Sequence, residues 1–200
     1  MVQEPAQMNE FQRMLAKWMA VRERSAAHDV LERLVGDWDV VLRFHGGGQS
    51  WDTRCTSRAE LLHEGRFLCE QIVGEISAPD SLGAMRPEPY TATRLLGYDN
   101  YKKAYTGVFI DNQNSQVLTF QGHAAPEGPV VRIDMFGTVD EPMLDVHDVM
   151  TKYVLAFGDS GHHAWTVYVV GVAEHAKVFE FEYVRRAGTG SAGGREASRA

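Results

Sequence analysis

Five polar residues sit where an alternating strand pattern would turn them toward an apolar interior. Glu70 shares a face with Leu68, Ile72, Gly74 and Ile76, and Arg94 with Ala92, Leu96 and Tyr98. Tyr105 lies with Gly107, Phe109 and Asp111, and His147 with Val149, Tyr153 and Leu155. In a small barrel the more apolar face of each strand points inward. A polar group taken out of water is costly unless partnered, so each is either satisfied by the fold or held for a ligand. Glu70, Arg94, Tyr105, His147 and Tyr153 are therefore the candidate ligand-binding set. Glu70 and His147 are also the candidate catalytic residues: facing one cavity, a carboxylate and an imidazole make a proton-transfer pair. The rival use of the same side chains is an internal Glu–Arg or Tyr–Glu network that only fixes strand register.

The other candidate motifs fail on geometry. His162 and His163 are adjacent, so on a strand they point to opposite faces and cannot share one metal; they are expected in the polar turn Asp159–Ala164. The run Gly46-Gly47-Gly48 lacks the downstream Lys-Ser/Thr of a phosphate loop and reads as a hairpin connection. Asp159-Ser160-Gly161 has neither the preceding Gly nor the strand-to-helix setting of a nucleophile elbow. Asp99-Asn100 reads as turn chemistry. No metal site and no cofactor is expected. Cys55 and Cys69 fall on strands that turn near His63-Glu64-Gly65, where a tight hairpin pairs Cys55 with a position near Val73. The two thiols do not meet, and both are expected reduced.

The elements that must position these residues change character along the chain. Residues 6–34 carry helical periodicity, with Met8, Phe11, Leu15, Trp18 and Met19 on one face. A second short helix is expected from the N-cap Ser25 through Val30, Leu31 and Leu34 to Gly36. The apolar stripe is expected to pack on the barrel wall or over its end; a dimer contact or a membrane-surface helix are its other uses. From Trp38 the period becomes two, with candidate strands at 38–45, 51–62, 67–76, 90–98, 104–111, 116–124, 130–138, 146–157, 163–173 and 177–185. Ten strands without an intervening helix predict a meander that curls into a closed antiparallel up-and-down barrel, with a two-sheet sandwich as runner-up. Ser77–Pro89 reads as the longest loop and a candidate lid. The domain division is a helical extension at 1–34, a barrel at 35–186 and a small, polar, disordered tail at 187–200.

Composition narrows the partners. A net charge of −7, without a stripe of Lys and Arg, argues against nucleic acid. A hydrophobic share of 44% beside 24% charged residues is that of a globular chain, and no apolar run is long enough to span a membrane. The start MVQEPAQMNEFQRML lacks the features of a secretory signal, so a cytoplasmic location is expected.

Four motifs in order carry a resemblance. They are LVGDWDV (Leu34–Val40), Gly65-Arg66 before Phe67-Leu68, LLGYDNYKKAY (Leu95–Tyr105) followed by Asp111, and the closing EYVRR (Glu182–Arg186). From about His28 to Arg186 the chain resembles the domain-of-unknown-function 1579 family, itself similar in fold to the calycins, the lipocalin-like barrels. The resemblance implies a closed barrel with a central cavity and no established activity. The first long loop reads GGGQS where the family usually has Pro-Gly. The resemblance also implies that Trp38 opens the first strand and plugs the closed end, with an Arg of the last strand against its indole. Arg185 is the matching position and Arg186 the alternative; cation–π attraction there contributes about 0.5–2 kcal/mol. Both roles are structural.

The function expected first is binding of a small hydrophobic or aromatic molecule in the barrel. The alternative is a cyclase, isomerase or hydratase acting on a lipophilic substrate, with Glu70 or His147 moving a proton. Haem binding through one of the eight His residues is a lesser alternative, weakened because the opening motif lacks extra glycines after the Trp. A structural or assembly role through the N-terminal helix, including a homodimer, completes the set.

Overall fold

A computed structural model describes residues 9–46, 48–79, 84–124, 132–142, 145–171 and 176–187. Met8 and the tail from residue 188 lie outside the described residues, as do the expectations attached to them. Two helices come first, α1 (Glu10–Arg22) and α2 (Ala26–Glu32). Ten strands follow among the described residues: β1 (Gly36–Gly46), β2 (Gln49–Leu62), β3 (Phe67–Pro79), β4 (Met85–Asp99), β5 (Ala104–Asp111), β6 (Leu118–Ala124), β7 (Arg132–Glu141), β8 (Val146–Phe157), β9 (His162–Val169) and β10 (Ala176–Arg185).

Each strand pairs antiparallel with its neighbour in sequence, and β1 closes the ring on β10 from Trp38↔Arg185 to Phe44↔Phe179. The barrel is therefore the up-and-down closure, not the sandwich. Alternation along β1 buries Trp38, Val40 and Leu42 and leaves Asp39 outside; β3 and β4 bury Leu68, Glu70 and Ile72 opposite Leu96, Arg94 and Ala92. Phe120 of β6 lies where a side chain on Gly107 of β5 would have to go, so the glycine makes room for a ring. Cys55 pairs with Gly74 and both cysteines are free thiols.

One end is capped by α2. Its buried Leu31, with Leu34 just beyond it, closes over the barrel, each such side chain contributing about 1.5–3 kcal/mol. Trp38 Nε1 donates to the Leu34 carbonyl at 2.9 Å, and the Tyr105 hydroxyl donates to the Ala27 carbonyl at 3.1 Å. Ser25 is the N-cap as expected, closing a capping box with His28.

Three expectations are corrected. Among the described residues the apolar stripe of α1 stays exposed: no residue of α1 is buried, and its end is tied to the barrel through Asn100 Nδ2 to the Glu23 carbonyl (2.6 Å) and Arg66 Nη1 to the Arg22 carbonyl (3.1 Å). The reason is that α2, shorter and directly joined to β1, already fills the end of the barrel. The Ser77–Pro89 loop is largely strand, because β3 and β4 stay paired out to Pro79↔Met85. The prolines do not break this hairpin. Thr91 exchanges both its backbone groups with Asn112, at 3.0 Å each, and the Pro89 carbonyl accepts from Asn112 Nδ2 at 2.8 Å. Residues of that parity face away from β3, so Pro87 and Pro89 withdraw no donor from the β3 ladder.

The third correction concerns β8. Asp148 has φ +55°, and the β7–β8 register shifts between Val139 and Glu141. This bulge breaks the alternation that would have turned His147 inward. His147 is instead 77% exposed and pairs with Asp140 at 3.3 Å.

Candidate functional site

Register fixes what meets at the barrel's waist. Glu70 stands directly opposite Arg94 across the β3–β4 ladder, and both side chains are 1% exposed. Arg94 Nη2 reaches Glu70 Oε2 at 2.6 Å. The contact is an ion pair by proximity, yet no N–H is directed along the line to either carboxylate oxygen, and Arg94 Nε has no partner. Above the guanidinium lie two rings: its carbon is 4.5 Å from the Trp165 centroid and 5.7 Å from that of Tyr183. Phe120, Tyr153 and Trp165 complete an aromatic wall with centroids 4.7–5.7 Å apart.

The hydroxyls of this wall are also unspent. Tyr153 Oη and Tyr183 Oη are buried without a hydrogen-bond partner, and so is Ser57 Oγ. Burial pushes the Tyr153 phenol up to about 12. Burial, and then the Glu70 carboxylate beside it, holds Tyr183 well above the usual phenol range. Both are therefore neutral donors across the physiological range. The waist presents a carboxylate acceptor, a guanidinium donor and two phenol donors, each short of a directed partner.

Two residues lie here that sequence reasoning missed. Tyr183 alternates with the buried Phe181, a signal that was present in β10. His163 is no turn residue: it is 5% exposed, stacked on Tyr183 at 4.0 Å and edge-on to Trp38 at 4.4 Å, with both ring nitrogens unpartnered. Burial first, then the charges of Arg94 and Arg185, push it down to about 2, so the ring is neutral. The alternation His163, Trp165, Val167 would have found it; the DSG turn before it drew His163 into the loop instead.

The expected set is thus divided by the fold. Glu70, Arg94 and Tyr153 come together. Tyr105 is buried, but at the capped end, where its hydroxyl is committed to Ala27; burial pushes it up to about 12. His147 is outside, so the Glu70–His147 pair is not assembled. At the capped end Arg185 lies over Trp38 at 4.1 Å, while Arg186 reaches out to Asp39 at 2.7 Å, which decides between the two arginines. A side chain at Gly36, where φ is +135°, would collide with the Arg185 guanidinium. Among the described residues no group of three His, Cys, Asp or Glu is placed to hold a metal ion.

Two clefts of the surface, about 320 and 310 Å3, flank the capped end. The first is lined by Arg33, Trp38, Phe157 and His163, the second by Ala27, Val30, Tyr98 and His123. At the opposite end the inner face carries Phe44, Trp51 and Phe179, cross-strand neighbours on β1, β2 and β10. Phe44 stacks on Trp51 at 5.5 Å and meets Phe179 at 5.2 Å, and each ring is 38–39% exposed. Between this rim and the waist the inward residues include Leu42, Ile72, Tyr90, Phe109, Thr151 and Phe181, all buried.

A family model described as "Protein of unknown function (DUF1579)" matches residues 23–185. No curated protein matches the sequence. No helix among the described residues is long and apolar enough to cross a membrane.

Proposed function

From the premise that the chain belongs to the DUF1579 family, whose description assigns no activity, we propose that the barrel binds a small, ring-bearing apolar molecule through its open rim. The observation that carries this reading is the set of buried polar atoms at the waist with bonding capacity left over, namely Glu70 Oε1, Arg94 Nε and Tyr153 Oη, beside the Glu70–Arg94 ion pair and the Tyr183 hydroxyl that faces it. Native folds rarely leave so many in one place without a use. The waist side chains are themselves closed to water, so the apolar body of the ligand occupies the rim half, over Leu42, Phe109 and Phe181. Its polar end meets the waist. The half-exposed rings of Phe44, Trp51 and Phe179 give it a first contact.

Titration with anilinonaphthalene sulfonate tests the site. Saturable one-to-one binding is expected, with energy transfer from tryptophan to the probe. Trp51→Ala weakens it by about tenfold through the lost ring contact. Tyr153→Phe and Tyr183→Phe keep the ring and delete the hydroxyl, each weakening a neutral hydrogen-bonding ligand such as a naphthol by roughly three- to tenfold. Binding that never saturates, or that none of the three variants changes, overturns the proposal.

A further inference from the structure

Among the described residues the apolar face of α1 has no cover beyond the guanidinium of its own Arg22, whose carbon lies 4.5 Å from the Trp18 ring centroid. At 3.6 residues per turn, the 13 residues of α1 gather Phe11, Met14, Leu15, Trp18, Met19 and Val21 into one arc roughly 160° wide. All six are 40–64% exposed. The helix is nonetheless well made, with Asn9 and Gln12 closing a capping box at 2.9 Å in both directions, and its last turn is fixed to the barrel through Asn100 and Arg66. A capped helix held at one end with its apolar side outward is a surface shaped for a partner.

We propose that the partner is a second copy of this chain, joined by antiparallel pairing of the two α1 helices about a two-fold axis near Met14 and Leu15. Area supports it. The six side chains expose on the order of 600 Å2 per chain, so a symmetric pair buries roughly 1,200 Å2, within the range of specific interfaces. Charge sets the direction. Glu10 and Lys17 lie two turns apart along the same edge of the apolar arc. In an antiparallel pair like edges meet, and Glu10 then comes within one turn of Lys17 of the partner subunit, twice over by symmetry. In a parallel pair unlike edges meet, so Glu10 and Lys17 of one chain would not face those of the partner subunit and this pairing would be lost. A lipid surface is the competing occupant, since α1 itself carries Arg13, Lys17 and Arg22 against Glu10 within a chain of net charge −7, and the vesicle arm of the test below separates the two.

Sedimentation equilibrium of the full chain tests this. The expected result is a concentration-dependent rise from 22.4 kDa to twice that mass. The triple variant Phe11→Ser, Leu15→Ser, Trp18→Ser raises the dissociation constant at least ~100-fold, because it removes the centre of the patch. Near-ultraviolet circular dichroism of the barrel aromatics checks that this variant still folds, since none of the three residues is buried. Lys17→Glu weakens the dimer by roughly three- to tenfold, and the exchange Glu10→Lys with Lys17→Glu restores it. A mass fixed at 22.4 kDa up to ~500 µM, a dimer indifferent to the triple variant, or an exchange that fails to rescue overturns the proposal. So does a monomer that binds phosphatidylglycerol vesicles through the same three residues.

Discussion

Two arginines in this barrel each lie over an indole, and their remaining bonds differ. Arg185 sits 4.1 Å from Trp38 at the capped end and directs Nε to the Ser160 carbonyl, Nη1 to that of Val35 and Nη2 to that of Arg33. Arg94 sits 4.5 Å from Trp165 at the waist, faces a carboxylate at 2.6 Å and leaves Nε without a partner. The same cation–π motif serves closure in one place. In the other it stands among groups whose hydrogen-bonding capacity is unspent. Proximity to an aromatic ring does not separate the two uses; the count of satisfied donors does.

The contrast breaks most visibly at the waist. Arg94→Met strands the Glu70 carboxylate in the interior and is expected to cost about 3–5 kcal/mol in urea unfolding. The double variant Glu70→Gln, Arg94→Met recovers most of that loss; a double variant as unstable as the single one would mean that the charges are not coupled.

His163 lies between the two arginines and makes the difference pH-dependent. Its folded-state proton affinity is depressed to about 2, against an ordinary 6.5. The unfolded chain therefore binds the proton first, so the stability from neutral burial is complete above pH 6.5 and is lost as pH falls below it. Between pH 6.5 and 4.5 the wild-type chain should lose roughly 2 kcal/mol more than His163→Phe, as read by denaturation at each pH. Parallel profiles for the two proteins would remove His163 from the account.

Arg185→Met is expected to cost less than Arg94→Met, about 1–2 kcal/mol, since the three freed carbonyls lie at the surface and can turn to water. Equal costs for the two arginine variants would erase the distinction between them. Tyr153→Phe is expected to move the other way, stabilising the ligand-free barrel by about 1 kcal/mol in thermal unfolding because it removes a buried hydroxyl with no partner. A loss instead would reveal a bond to that oxygen. Least of all, His147→Ala should stay within about 0.5 kcal/mol, as expected of an exposed side chain.

Much of this was legible in the residues. Period-two alternation from Trp38 placed ten strands, and the same alternation placed Glu70, Arg94 and Tyr153 inside. The errors share one physical origin, namely that alternation is local and its phase can be reset. At Asp148 a bulge resets it and expels His147. At His163 turn chemistry competed with the strand expected at 163–173, and the β9 ladder, reaching back to His162, settles it for the strand. Pro87 and Pro89 read as loop because their missing donors count against a strand, which holds only where both sides of the strand are paired. For α1 the periodicity identified the helix but carried no information about what its face would meet.

Where β4 runs on past Ala92↔Asp111, its outward edge is no longer laddered to β5. An edge of this kind is the ordinary seed of chain-to-chain sheet growth, because another strand can add to it. Pro87 and Pro89 remove donors that such a strand would need. The barrel therefore extends this hairpin from the end opposite α2 with fewer free donors for a nucleus of polymer.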